Sequence, residues 1–224
     1  MPRAAVRGGY TENKQGCPRK GGHFFYTRKD KAMEIKLAKP YAFEGKEYDE
    51  IDLTGMENLT VQDAIDAQGA LTGQAATMIL PERSTAYIAR LAAKATGKPV
   101  EFFELLPVGA ARRLRGAFLQ FMAVTADEDT GMVLKLAKPY TYKGKTYEEV
   151  DMSGAAEMTT LDMAAAENKL AAAGHIALEP SYDYLYCCIM AARASGLDEA
   201  FFTGLPIAEA LRIKNALNGD RFFG

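Results

Sequence analysis

A repeated hexapeptide constrains the fold of this chain more than any other feature. Lys36–Tyr41 and Lys135–Tyr140 are identical, and the 99-residue offset between them holds without a gap to the end of each copy. Aligned pairs beyond the hexapeptide include Gly45 with Gly144, Thr60 with Thr159, Asp63 with Asp162, Pro81 with Pro180 and Gly97 with Gly196. A period of this length is the size of a small domain and too long for a solenoid unit. The sequence therefore predicts two copies of one domain in tandem.

The repeat divides the 224-residue chain into four predicted segments. They are a basic flexible arm over 1–32, repeat domains over 33–122 and 132–224, and an acidic linker over 123–131. The arm has eight basic and two acidic residues, a net charge of +6, whereas the rest has 19 basic and 27 acidic residues, a net charge of −8. A basic arm on an acidic body suggests contact with nucleic acid or a membrane surface. The alternatives are plain disorder or a reading frame that extends upstream of a start at Met33.

Each repeat is predicted to begin with strands and continue with helices. Gly45 suits a tight hairpin turn, since glycine accepts the positive φ that such turns require. Thr60 is a good N-cap for a helix, and Gly97 is a suitable terminator for the next one. Pro107 favours the start of a last helix. The predicted fold class is α+β, with two repeated small domains, each a short antiparallel β-hairpin or meander followed by three or four helices.

Histidine and cysteine give no indication of a metal or redox site. His23 and His175 are the two histidines, and neither has ligand partners at metal-binding spacing. The odd cysteine count, with Cys17 in the arm and Cys187 adjoining Cys188, does not form a disulfide framework. The vicinal pair lies mid-helix among apolar residues and is predicted to be core. We predict no metal and no cofactor.

Catalytic motifs are also lacking in the sequence. No glycine-rich phosphate loop or nucleophile elbow occurs. Asp63 and Asp162 are better explained as helix-start carboxylates than as paired catalytic acids, because they lie where free N–H groups and the helix dipole favour negative charge. No apolar run approaches the roughly 18–20 residues that span a bilayer. The prediction is a protein that is not an enzyme.

Aromatic residues are the candidates for partner binding. Two members of an adjacent pair cannot face the same way on a helix, so one phenylalanine of each pair is expected in the core and the other at the surface. Exposed aromatic side chains are typical anchors of protein interfaces. An entirely buried set is the competing interpretation. The candidates are Phe102, Phe103, Tyr182, Tyr184, Tyr186, Phe201 and Phe202.

The ordered set of short motifs resembles the tail assembly chaperones of long-tailed bacteriophages. It comprises the Leu-x-Lys-Pro-aromatic opening at Leu37–Tyr41, the Gly-Lys-x-Tyr hairpin at Gly45–Tyr48 and the Thr-x-x-Asp helix start at Thr60–Asp63. A helix ending in glycine, a short phenylalanine-containing segment and a final helix follow. The resemblance covers 34–122 and again 133–223. The family usually has one such unit, so this chain is a tandem duplicate with an additional arm.

The resemblance implies a role in phage or prophage tail assembly without chemistry. Such proteins bind the tape measure protein and keep it soluble while the tail tube forms, and the tube protein is a further possible partner. It also implies a location in the cytoplasm of the bacterial host and absence from the mature virion. The two repeats could self-associate, pack as a pseudo-dimer or bind neighbouring sites on one partner.

Two other functions compete with the chaperone interpretation. The first is a structural tail or head–tail component that stays in the particle. The second is a nucleic-acid-binding module that uses the basic arm, which would show steep salt dependence. The acidic body and the lack of a basic helix face argue against nucleic acid, and no membrane partner is expected.

Overall fold

The computed structural model describes residues 33–71, 80–123 and 132–219, and each repeat opens with a two-stranded antiparallel hairpin. In the first repeat, β1 (Glu34–Phe43) pairs with β2 (Lys46–Asp52), and in the second, β3 (Val133–Tyr142) pairs with β4 (Lys145–Asp151). The predicted turn at Gly45 is confirmed, with a φ of 75° preceded by 49° at Glu44. Consecutive positive φ values suit a two-residue hairpin turn, which explains the glycine.

The hairpins share an irregular pairing around the repeated proline. Lys36 lies opposite Glu50 and Tyr41 opposite Tyr48, so four residues of β1 face a single residue of β2. The second hairpin has the same shift between Lys135 and Tyr140. The bulge suits Pro40, which has no N–H to donate to a ladder. Beyond the bulge, the aromatic residues of the first hairpin pack against the ring of Phe102.

Within the described ranges, four helices follow the hairpin in each repeat. The first repeat has α1 (Val61–Gly69), α2 (Thr85–Thr96), α3 (Val100–Glu104) and α4 (Val108–Ala123). The second repeat has α5 (Thr160–Ala172), α6 (Tyr184–Ser195), α7 (Glu199–Thr203) and α8 (Ala208–Asn218). Short 3-10 turns at Thr54–Asn58 and Ser153–Glu157 link hairpin to helix. The α+β class with two repeated units is confirmed.

The helix ends follow the local chemistry predicted for them. Thr60 and Asp63 form a reciprocal capping box, with the Thr60 N–H donating to Asp63 Oδ2 at 2.8 Å. In the second repeat the Thr159 N–H donates to Asp162 Oδ2 at 2.9 Å, and this bond lowers the pKa of Asp162. Gly97 ends α2 with a φ of 67°, which a residue with a side chain adopts only with strain. Both aspartates are therefore helix-start carboxylates that complete capping boxes, as predicted.

A close approach between backbones makes Gly55 a sensitive position. A Cβ added to Gly55 would lie 1.9 Å from the carbonyl oxygen of Ala95, near the end of α2. The Gly55→Ala variant should therefore lose about 1–3 kcal/mol of unfolding free energy, as overpacking typically does. Urea denaturation measures this loss. The control is Gly116→Ala in α4, where a Cβ meets nothing within 4 Å, and a gain of about 0.5–1 kcal/mol is expected because alanine favours helix. Equal unfolding free energies of the two variants would contradict the close approach of Gly55 to the Ala95 carbonyl.

Candidate interaction site

The predicted aromatic anchors lie mostly inside the protein. Phe102, Phe103, Phe201 and Phe202 are each at most 2% exposed, so the interpretation that both members of each pair are buried is correct and the one with a surface member in each pair is wrong. The five-residue α3 explains this, because its two sides face different parts of the core. Phe102 meets the rings of Tyr41 and Tyr48 from the hairpin at 5.1 and 4.9 Å, and α3 also packs against α2. A helix covered on two sides buries adjacent residues.

The three tyrosines differ in burial. Tyr184 and Tyr186 are buried, and burial raises the pKa of Tyr186 to about 12. Tyr182 is half-buried, with Lys214 Nζ at 5.8 Å from its ring centroid. Of the seven predicted residues, Tyr182 alone has appreciable exposure. The vicinal Cys187 and Cys188 are buried core residues, as predicted.

The two repeats join through the start of α1 and the start of α8. The Val61 N–H donates to the Leu205 carbonyl at 2.8 Å, and the Ile207 N–H donates to the Leu59 carbonyl at 2.8 Å. Thr60 thereby forms an isolated antiparallel bridge with Pro206. Around this bridge α1 contacts α6, α7 and α8, while α4 also packs against α8. We call this contact the inter-repeat joint, and the described parts of both repeats fall within one compact unit.

A buried polar cluster lies within the joint. Glu82 of the first repeat accepts from Lys214 Nζ at 2.7 Å and from the Tyr184 hydroxyl at 3.1 Å, both in the second repeat. The side chains of Lys214 and Glu82 are only 3% and 8% exposed. The Tyr184 ring stacks on Tyr87 at 6.3 Å, and its backbone N–H donates to Gln68 Oε1 at 3.1 Å. Burial, and then the charges of nearby groups, raise the pKa of Tyr184 well above its ordinary value. Sequence motifs gave no sign of this cluster, because its members come from both repeats.

Exposed apolar side chains mark the surface available to partners. They form three groups of two, one near the start of α4, one at the start of α5 and one in the loop after α5. The large exposed members among the described residues are Leu105, Val108, Leu161, Met163, Ile176 and Leu178. These exposed apolar side chains are candidates for contact with a partner.

Helix α4 also has a basic exposed face. Arg112, Arg113 and Arg115 are exposed, and the helix contains no acidic residue. The expectation that no helix has a basic face is therefore wrong. Arg113 also donates to the Lys36 carbonyl at 2.7 Å, which attaches α4 to the hairpin.

Metal-binding and membrane-spanning features were sought among the same described residues. No three or more His, Cys, Asp or Glu side chains in these ranges are placed to share a metal ion. None of the helices there has the length and apolar character that crossing a bilayer requires. Cys17 and His23 lie outside the described residues.

The family comparison covers the whole first repeat. Residues 34–123 match the model of a family described as phage tail assembly chaperone proteins, E, or 41 or 14. The first repeat is similar to this family over its whole length. The match begins with β1 and ends with α4, so the matched segment coincides with one hairpin and the helices that follow it. No curated protein and no solved structure matches the chain.

Proposed function

We propose that this protein is a tail assembly chaperone that binds the tape measure protein and keeps it soluble while the tail tube is assembled. The observation that carries the proposal is the family match over the complete first unit, 34–123. The second repeat has the same elements in the same order at the 99-residue offset. It is proposed as a second chaperone unit, which makes the protein a tandem duplicate. The protein would act by binding, without catalysis, in the cytoplasm of the bacterial host.

The tape measure protein is expected to dock on the segment 176–182. Ile176 and Leu178 are exposed there, and Tyr182 at its end is half-buried. An apolar patch that includes an aromatic ring suits the apolar stripe of an amphipathic helix. Of the predicted aromatic anchors, Tyr182 is therefore the one that we propose as a direct contact.

Co-expression tests the function directly. The full chain is produced together with the tape measure protein of the same phage or prophage, and the soluble fraction and a pull-down are compared with expression of the tape measure protein alone. We expect the tape measure protein to be soluble and to co-purify only when the chaperone is present. Identical solubility with and without it would overturn the proposal.

The docking segment is tested by adding charge to it. The Ile176→Asp/Leu178→Asp variant should lose at least tenfold in affinity for the tape measure protein, because two carboxylates would replace apolar contacts. Thr141→Asp, on the exposed end of the second hairpin, is the control and should bind normally. Titration by calorimetry or fluorescence anisotropy measures the change. Unaltered affinity of the double variant would place the docking surface elsewhere.

The alternative function is that of a structural tail component. The protein content of the purified virion distinguishes this function from that of a chaperone. Mass spectrometry of purified virions should detect a tail component at a fixed stoichiometry. A chaperone that leaves before completion should be absent from the virions while present in the lysate. Recovery of the chain in the particle would favour the structural role.

A further inference from the structure

Two residues with buried side chains close the docking segment 176–182 at its ends. His175 immediately precedes the segment, and Asp183 immediately follows it. Their side chains are only 7% and 2% exposed, and His175 Nδ1 lies 2.9 Å from Asp183 Oδ2. The contact joins the chain to itself across the whole segment, so the segment is a closed loop. We call this His175–Asp183 contact the clasp.

Both members of the clasp are held in place by the helices beside them. Asp183 is the N-cap of α6, and its Oδ1 accepts from the N–H of Leu185 at 2.8 Å and from that of Tyr186 at 3.4 Å. The His175 N–H donates to the Leu170 carbonyl at 3.1 Å, in the last turn of α5. The clasp therefore joins the end of α5 to the start of α6.

The His175 ring also packs against the first repeat. A Cβ added to Gly69, the last residue of α1, would lie 2.8 Å from His175 Nε2. The glycine therefore leaves the room that the ring occupies. Next to the clasp, the Tyr184 N–H donates to Gln68 Oε1 at 3.1 Å. The clasp thus rests on the end of α1 and borders the inter-repeat joint.

The two halves of the docking segment differ in how they are held. In the second half, the Ser181 carbonyl accepts from Asn218 Nδ2 at 2.8 Å and from Cys187 Sγ at 3.2 Å. In the first half, Ile176 and Leu178 are 64% and 69% exposed, and neither has a hydrogen bond to another described residue. The adjoining His175 is therefore the anchor that limits where these two apolar residues lie.

The first repeat lacks the residues of the clasp. At the 99-residue offset, Ala76 takes the place of His175 and Ser84 takes the place of Asp183. Ser84 still caps its helix, because its hydroxyl oxygen accepts from the Tyr87 N–H at 3.4 Å. A serine is thus sufficient for the cap. The aspartate of the second repeat adds the contact with the histidine, which joins the two ends of the segment.

We propose that the clasp positions the docking segment for the tape measure protein, with His175 as a positioning residue that does not itself touch the partner. This inference rests on the proposed function and adds to it the way in which the segment is held. Apolar residues bind more tightly when they already have the bound conformation, because less conformational entropy is then lost on binding. The clasp supplies this preorganisation to Ile176 and Leu178.

Three variants of the full chain separate the clasp from the residues that touch the partner. Asp183→Ser copies the residue found at Ser84, so the α6 cap is kept and the clasp is lost. His175→Leu removes the clasp from its other side. His175→Asn is the matched control, because its side-chain N–H can still donate to Asp183. Circular dichroism and thermal melts should show that all three variants are folded at the assay temperature.

NMR relaxation of the free chain shows whether the clasp orders the segment. The backbone order parameters of Ile176 and Leu178 should be about 0.85 in the wild type and the control, and below about 0.6 in the two clasp variants. Those of α6 should not change, since its cap remains. Equal order with and without the clasp, or a loss of order that extends through α6, would overturn the positioning role.

Calorimetric titration with the tape measure protein gives the functional readout. Asp183→Ser and His175→Leu should each bind at least about fivefold more weakly than the wild type, which is the cost of ordering one or two side chains on binding. His175→Asn should bind within about twofold of the wild type. Wild-type affinity in both clasp variants would overturn this inference and leave the proposed function intact. A wild type that does not bind would instead overturn the proposed function, together with the inference that rests on it.

Discussion

Replacing Lys214 with methionine is expected to lower the free energy of unfolding by about 3–5 kcal/mol, because it leaves the Glu82 carboxylate buried without a counter-charge. Glu82 is enclosed by the joint and has two donors, Lys214 Nζ at 2.7 Å and the Tyr184 hydroxyl at 3.1 Å. The remaining hydroxyl cannot neutralise a carboxylate. Urea denaturation of the full chain measures the loss.

A double variant separates the ion pair from simple packing. In Glu82→Gln/Lys214→Met both charges are removed, while the glutamine oxygen still accepts from Tyr184. Replacing a buried ion pair by neutral groups is often close to neutral, so the double variant should recover most of the stability. Lys94→Met removes an exposed lysine that pairs with Asp63 at 3.4 Å, and as control it should cost less than about 1 kcal/mol. A Lys214→Met loss as small as the control's would contradict a buried, charged pair.

The elements within one repeat could be predicted because their signals are local. The Gly45 turn, the Thr60 capping box and the Gly97 terminator each depend on a few neighbouring residues. The second copy tested each of these predictions again, because an interpretation that fits only one copy would have been rejected.

The interaction surface could not be predicted because it depends on how the two repeats meet. Tyr184 reads as an exposed aromatic residue at a helix start, yet Gln68 and Glu82 from the other repeat enclose it. Its counterpart at the 99-residue offset, Thr85, is exposed. Likewise Ile207 and Val108 occupy equivalent positions in the two repeats, yet Ile207 is buried and Val108 is exposed. Periodicity assigns a residue to a face of a helix but does not say what covers that face.

Phenylalanine-to-alanine changes at Phe102 and Phe201 are expected to destabilise the protein by about 3–5 kcal/mol each. Phe201 lies at the centre of four rings at distances between 4.9 and 5.5 Å, three of them from its hairpin. Phe102 has the same environment in the first repeat, and the Tyr41 hydroxyl donates to its carbonyl at 3.1 Å. Edge-to-face pairs of this kind add about 0.5–1.5 kcal/mol beyond the burial of area.

Two measurements on these variants decide between a core role and a binding role for the aromatic pairs. Thermal melts should show a large loss of stability for Phe102→Ala and Phe201→Ala, whereas Leu105→Ala at an exposed position should stay within about 0.5 kcal/mol of the wild type. Affinity for the tape measure protein, measured where each variant is still folded, should be unchanged. If a variant kept its stability but lost affinity for the tape measure protein, the phenylalanines would instead have to leave the core to bind that partner. That outcome would require α3 or α7 to move away from its hairpin.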